Sequence, residues 1–376
     1  MIKQKNEQVR HSTKLTAVWE VISKFSFILL ILFVYSLQRI FSLFPIFVEF
    51  VYSMKLFRWI STPISFITSL IPVSLTEILV YSSIPIFLTI LVLLIRKFRR
   101  GGNRKKLIIS NVIRIGWIAA ITYTLFMLLL GFNYARMPLN ESMSIGTTPR
   151  SRQDLEKVCY ILLDKTNTTR MDCIESDGVM ILKYGVGNAL KNAYKGFDAV
   201  SNVYPILQGS ARRAKGVISS HYWSYTGITG MYFPFFVEAN VNVDVAKPFL
   251  PNTILHELAH TRGIVREDEA GFVAFITGIN HPDNDFKYSS YLDAFIHASN
   301  SLYSVDKDAY TKLQSKVSDA VNRDLDANNK YWKQFEGPVQ EVSTSVNNSY
   351  LKSNMQEDGV RSYGRVVDLL LGYYLS

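Results

Sequence analysis

Ile254-Leu-His-Glu-Leu-Ala-His-Thr-Arg-Gly-Ile-Val-Arg-Glu-Asp-Glu-Ala270 is the stretch from which the rest of the chain is read. On an α-helix, residues four apart lie one above the other, so His256 and His260 present two imidazole nitrogens to a single metal ion. Glu257 is turned off that ligand line yet stays close enough to take a proton from water at the metal, the task of a general base. A metal that does chemistry needs a third protein ligand and one open position. Glu267 and Glu269 lie downstream, and a helix carried straight on from His260 would take both away. Gly263 stands where a helix terminus uses a left-handed residue, so the chain is expected to turn there and begin a second helix near Arg266. That helix presents Glu267, with Ala270 leaving room for close packing against the first helix; Glu269 is the alternative ligand.

The chain contains six histidines in 376 residues. Two of them bracket a glutamate at this spacing on an apolar helical pattern, and a glycine and an acidic cluster follow. That combination marks a metal centre rather than an ordinary buried helix. No further cysteine or histidine stands close by to complete a closed structural zinc site, so an ion with an open position is the expectation.

Apolar residues make up 48% of the chain and the net charge is +10, but both are unevenly spread. Residues 1–136 carry 17 Lys and Arg against 4 Asp and Glu, whereas residues 137–376 carry 24 against 27. Basic charge spread over a folded surface would suggest nucleic acid or acidic lipid. Here it accompanies long uncharged runs, so it speaks of membrane topology, and a nucleic-acid partner is not expected.

Three such runs, 25–44, 78–95 and 115–132, are long enough to cross a bilayer. The basic head before the first is not followed by a small-residue cleavage site, which favours an uncleaved anchor over a signal peptide. Basic loops stay in the cytoplasm, so the N-terminus and Arg96-Lys-Phe-Arg-Arg-Gly-Gly-Asn-Arg-Lys-Lys106 are placed inside, and three crossings put everything after Phe132 outside. Residues 59–76 are uncharged too, but Pro63, Pro72 and several Ser and Thr interrupt them. They read as an interfacial or re-entrant segment, since another crossing would separate the two basic stretches. No charged residue lies well inside a run, which argues against a transporter or channel. The domains expected are a membrane anchor over 1–136 and an extracytoplasmic domain over 137–376.

The second part reads as mainly helical. Residues 152–164 and 180–194 show helical spacing, whereas 216–243 is rich in aromatic and β-branched residues with glycines at 227 and 230, the pattern of strands joined by a turn. Pro234 withholds a ladder donor, so this strand is expected at an edge, where an extended peptide can pair along 231–242. Glu238 and Asn240 are candidates to contact substrate or support the site. Residues 272–279 continue the second helix of the motif, 291–302 and 309–331 give two more, and the last helix, short and carrying Asp368, is not a fourth span. Cys159 and Cys173 either pair outside the cell or stay as two buried thiols.

The order of the three runs, Gly131-Phe-Asn-Tyr-Ala-Arg136, Pro234 to Asn242, the His256 to Phe272 block and the terminal Tyr350 to Tyr374 block resembles an uncharacterised bacterial membrane-protein family. That family is grouped with the H-E-x-x-H zinc metallopeptidases of gluzincin type, and the resemblance covers nearly the whole chain. It implies an α+β protein of the bacterial plasma membrane: three N-terminal transmembrane helices, then a mainly helical zincin-like metallopeptidase domain with a small β-sheet. It also implies Zn2+ held by His256 and His260, Glu257 as base, and a glutamate ligand from the second helix. Related zinc peptidases place that glutamate in E-x-x-A-D, which corresponds to Glu267 with Ala270, although Gly271 stands where the aspartate would be. Other members of the wider group read Asn-Glu-Ala-Phe, which corresponds to Glu269. The terminal segment Gly359-Val-Arg-Ser-Tyr-Gly364 supplies Arg361 and Tyr363 as candidate donors to a developing oxyanion.

The expected function is zinc-dependent hydrolysis of a peptide or protein substrate at the membrane. The alternative is a catalytically silent binding or sensor domain on the same scaffold.

Overall fold

The structure, a computed structural model, describes residues 23–100, 103–146, 150–209, 211–354 and 365–375. The uncharged runs become three helices, Ser23–Phe41, Leu75–Arg99 and Arg104–Leu129, each long and apolar enough to cross a membrane. They are offset from the runs expected. The first ends at Phe41, ahead of a new helix that begins at Pro45, and the third starts early because Arg104, Lys105 and Lys106 form its first turn behind an Asn103 cap. The first and third pack together through Phe27 and Trp117, with Gly116 giving the Phe27 ring its space. The second exposes its apolar flank along its whole length.

Between the first two spans the chain makes a continuous helical collar: Pro45–Phe47, a π-helical stretch Val48–Phe57, and Arg58–Leu70. The wider π-turn brings Val48, Tyr52, Ser53 and Phe57, four to five residues apart, onto one buried face. The 59–76 segment of the sequence reading is thus the second half of this collar and the start of the second span. Its carbonyls at Thr68, Ile71 and Val73 accept from the buried ammonium of Lys215, which caps the helix end from the other half of the chain.

The remainder is mostly helical around one large core that includes Leu155, Phe197, Leu255, Phe272, Phe286 and Leu370. A two-stranded hairpin, β1 (Glu175–Ser176) and β2 (Val179–Met180), lies apart from a three-stranded sheet of β3 (Lys215–Gly216), β4 (Gly230–Phe233) and β5 (Glu238–Val241). The sheet order is β3-β5-β4, with β5 parallel to β3 and antiparallel to β4, Tyr232 opposite Ala239.

Several local expectations are corrected. The 216–243 stretch is less stranded than its composition suggests: Ser220–Ser224 is helical, and Pro234–Phe236 is a 3-10 turn closed by Val237 in the left-handed region. Pro234 does leave β4 at the sheet edge, but β5 lies in its centre. The helix expected over 180–194 begins at Gly185 and is followed by Tyr194–Val200, and the one over 309–331 is divided into Lys307–Gln314 and Asp319–Lys333, the second capped by Ser318. Cys159 and Cys173 are free thiols, the first buried in the core and the second bonded to the Thr169 carbonyl and to Asn284. Packing also crosses residue 136: Arg136 forms a buried two-pronged ion pair with Glu49 of the collar, at 2.6 and 2.8 Å, and donates to the carbonyls of Arg262 and Gly263.

Candidate metal centre

The helix Leu250–His260 carries Pro251 in its first turn, which its fixed φ suits, and buries Ile254, Leu255, Leu258 and Ala259. It stops at Gly263, φ +78°, where two bonds close the end: Gly263 N–H donates to His260 and Ile264 N–H to Ala259. This is the paired C-terminal closure that a left-handed glycine permits. A side chain at this position would also meet Asn133 Oδ1 at 2.9 Å. The next helix, Glu267–Ile279, starts with Glu267, Asp268 and Glu269 in its first turn, the favourable end of the helix dipole for acids.

The turn brings three donors together. Glu267 Oε2 lies 3.0 Å from His256 Nε2 and 3.6 Å from His260 Nε2, and the ligating atoms of all three lie within 4.8 Å of one another. The imidazole rings stand nearly perpendicular, centroids 4.9 Å apart. His260 Nδ1 is 2.7 Å from the Ile264 carbonyl, an acceptor only, so Nδ1 carries the hydrogen and Nε2 is left to face the cluster. Burial works against charge on either partner, but each holds the other. The Glu267 carboxylate lifts His260 to about 9, and the imidazoles keep Glu267 well below the usual carboxylate range. Two nitrogens and one carboxylate oxygen converging at this range could hold a metal ion as three of the four ligands of a tetrahedral site.

Glu257 lies beside this cluster, buried, with Oε2 lacking a hydrogen-bond partner among the described residues. Burial raises its pKa, offset in part by the nearby histidines. Its other flank is the backbone of β4: a Cβ on Gly230 would sit 2.3 Å from Glu257 Oε1. An unpaired buried carboxyl next to a three-donor cluster fits a divalent ion and a water between them, since such an atom is costly unless something polar reaches it.

Not every residue singled out from the sequence gathers here. Glu269 is turned away from the histidines and accepts from Leu139 N–H at 2.9 Å and Arg266 Nη1 at 2.8 Å. Two residues along a helix is about 200° of rotation, so the first turn cannot aim both glutamates at one point. Glu238 and Asn240 do not face the cluster either. Glu238 accepts from Leu75 N–H, Thr76 N–H and Thr76 Oγ1, and Asn240 bonds Ser74 and Thr76, so together they hold the start of the second span. Arg361 and Tyr363 lie outside the described residues; Arg365, the next one described, pairs with Asp268 at 3.3 Å.

Two tyrosines not named individually from the sequence lie beside the cluster. Tyr232 packs against His260, ring centroids 6.3 Å apart. Tyr350, on the helix Pro338–Ser353, bonds Tyr134, and its phenol is pushed up to about 12 by its surroundings and by the charge of Glu267. Nothing in the local sequence marks these tyrosines. The glycine at 230 was visible, but as a turn residue rather than as the wall of a carboxylate site.

One family model matches the chain, over residues 52–371, and its description is Protein of unknown function (DUF3810). No curated protein and no solved structure matches the chain.

Proposed function

Because the chain belongs to the DUF3810 family, whose description assigns no activity, the function has to be read from the site, and we propose that the protein is a membrane-anchored zinc-dependent metallopeptidase with a zincin-like, gluzincin-type centre. The observation that carries this reading is the convergence of His256, His260 and Glu267 beside a buried, unpartnered Glu257. The sequence H-E-x-x-H alone would be compatible with an ordinary helix. The third ligand at hydrogen-bonding range and the fixed tautomer of His260 are what favour a metal centre.

His256 Nε2, His260 Nε2 and Glu267 would hold the ion. When bound, Zn2+ supplies a Lewis acid that polarises a scissile carbonyl and lowers the pKa of a water. Glu257 accepts a proton from the attacking water as its oxygen bonds to the carbonyl carbon, and returns that proton to the amine nitrogen as the C–N bond breaks. Gly230 keeps the carboxylate close against β4. β4 has β5 as its hydrogen-bonded neighbour within the sheet, which makes its other side the place for an extended substrate backbone.

In this reading residues 1–136 anchor the protein in a bacterial plasma membrane, with the N-terminus and the 96–106 basic loop cytoplasmic and residues 137–376 extracytoplasmic. The test is metal content and hydrolysis of a peptide pool by the purified full-length protein, beside Glu257→Gln. The expected result is about one zinc per chain in both and hydrolysis in the natural protein alone. Zinc bound in both with hydrolysis in neither would favour the silent binding domain.

A further inference from the structure

The collar over residues 45–70 carries apolar residues outward as well as inward, beside Val48, Tyr52 and Phe57 on its buried face. Glu49, Ser53, Ser61, Ser65 and Thr68 are buried against the protein, while Phe47, Phe50, Leu56, Trp59, Phe66 and Leu70 stand exposed, Trp59 at 77%. A surface helix in water shows the reverse, and a continuous apolar face of this length calls for a cover. Continuity names the cover. The face follows directly on the span Ser23–Phe41 and leads into Leu75–Arg99, so the medium that covers their apolar flanks reaches the collar. Lys55, exposed on the same segment, has a stem long enough to lie along apolar surface with its ammonium among headgroups.

The metal centre is fastened at that level. The Tyr232 hydroxyl donates to the carbonyl of Leu129, the last residue of the third span, at 3.2 Å, while its ring packs on His260. Leu130, Tyr134 and Val265 are buried together against Phe126 and Tyr232, joining the end of that span to the residue two before Glu267. On the collar side, a Cβ on Gly263 would come within 3.1 Å of Phe57. The turn between the two candidate ligand helices is thus held from both sides, by the end of the third long apolar helix and by the collar.

We infer that the collar lies in the bilayer interface with its apolar face toward lipid, and that the metal centre works at the membrane surface on peptide stretches that are themselves membrane-held, the juxtamembrane part of an anchored polypeptide. The substrate half rests on the hydrolase reading above; the lipid half does not.

Both halves are tested on the full-length chain in phosphatidylcholine vesicles. For the lipid half, a variant keeping Trp59 and carrying Phe at the other four tryptophans is placed in lipid brominated near the headgroup or near the bilayer centre. Strong quenching, greater for the shallow label, is expected. The single substitution W59F in the otherwise natural chain should remove the shallow-quenched component, which covers the case of a poorly folded multiple variant. Trp59 emission untouched by either label in that variant, while W59F in the same vesicles, which keeps Trp117 in the third long helix, is quenched to the same extent as the natural chain, overturns the inference. For the substrate half, one random-sequence peptide pool is supplied free or joined to a transmembrane anchor in the same vesicles. Confinement should speed cleavage of the anchored pool about tenfold or more, with E257Q as background. Equal rates sink the substrate half and leave the hydrolase reading standing. Cleavage of neither pool sinks the hydrolase reading and the substrate half with it, and the quenching still decides the lipid half.

Discussion

Replacing Gly230 by Ala should silence hydrolysis while leaving the metal in place. The added methyl would fall 2.3 Å from Glu257 Oε1 and 2.5 Å from its Cδ and Cγ, where ordinary contact begins at 3.4 Å. Gly230 is outside the left-handed region, so the substitution does not strain the backbone and the clash has to be relieved by the side chain. The carboxylate must move by about 1 Å, and a misplacement of that size at a reacting centre costs on the order of a hundredfold in rate. In barrier terms this is about 2.7 kcal/mol. Crowding the site should also cost about 1–3 kcal/mol of stability, short of unfolding a domain of this size. The nearest atoms to the new methyl all belong to Glu257, so His256, His260 and Glu267 keep their positions. The assay pairs zinc content by mass spectrometry with peptide-pool hydrolysis on the same preparation, and a melting curve controls for folding. Full zinc with unchanged activity would refute the placement of the base between β4 and the ligand cluster.

Three further outcomes follow from the geometry. Removing Glu267 as Glu267→Ala should weaken zinc binding by more than about a hundredfold, beyond what loss of an outer partner costs, whereas Glu269→Gln should leave affinity intact and loosen only the Arg266 and Leu139 contacts; competition with a chelator separates the two. Breaking the buried Glu49 to Arg136 pair by Glu49→Gln should cost about 3–5 kcal/mol, and the joint change Glu49→Leu with Arg136→Met should recover only part of it, because the Arg262 and Gly263 carbonyls then lose their donor, read as melting temperature in detergent. Asp285 is buried and its pKa is raised, chiefly by desolvation, although it accepts from Lys183 N–H. A raised carboxyl contributes stability below its unfolded pKa and loses it as pH rises through the folded one. The gain in melting temperature from Asp285→Asn should therefore grow between pH 4 and pH 7, and a gain that shrank would contradict the assignment.

What the chain reveals without its fold is whatever depends on local spacing. The three long apolar helices are legible because a run of about twenty apolar residues stands out from the rest of the chain, although caps and turns such as Asn103 and Pro45, not hydropathy, set their ends. His256 and His260 are legible as a pair because four residues are nearly one helical turn, and the bend at Gly263 because few residues besides glycine accept that backbone. The choice between Glu267 and Glu269 was not, because both occupy one helical turn and only the docking of the second helix on the first says which side faces the histidines. Glu238 and Asn240 carry side chains equally suited to substrate, and only the packing of the sheet against Ser74 and Thr76 commits them to holding the start of the second long helix. Gly230 and Glu257 are 27 positions apart, and the collar's polar face is buried only because Lys215, Arg136 and the 261–266 turn lie against it. Such pairings rest on contacts between distant segments, which leave no period in the sequence and come into existence only when the chain packs.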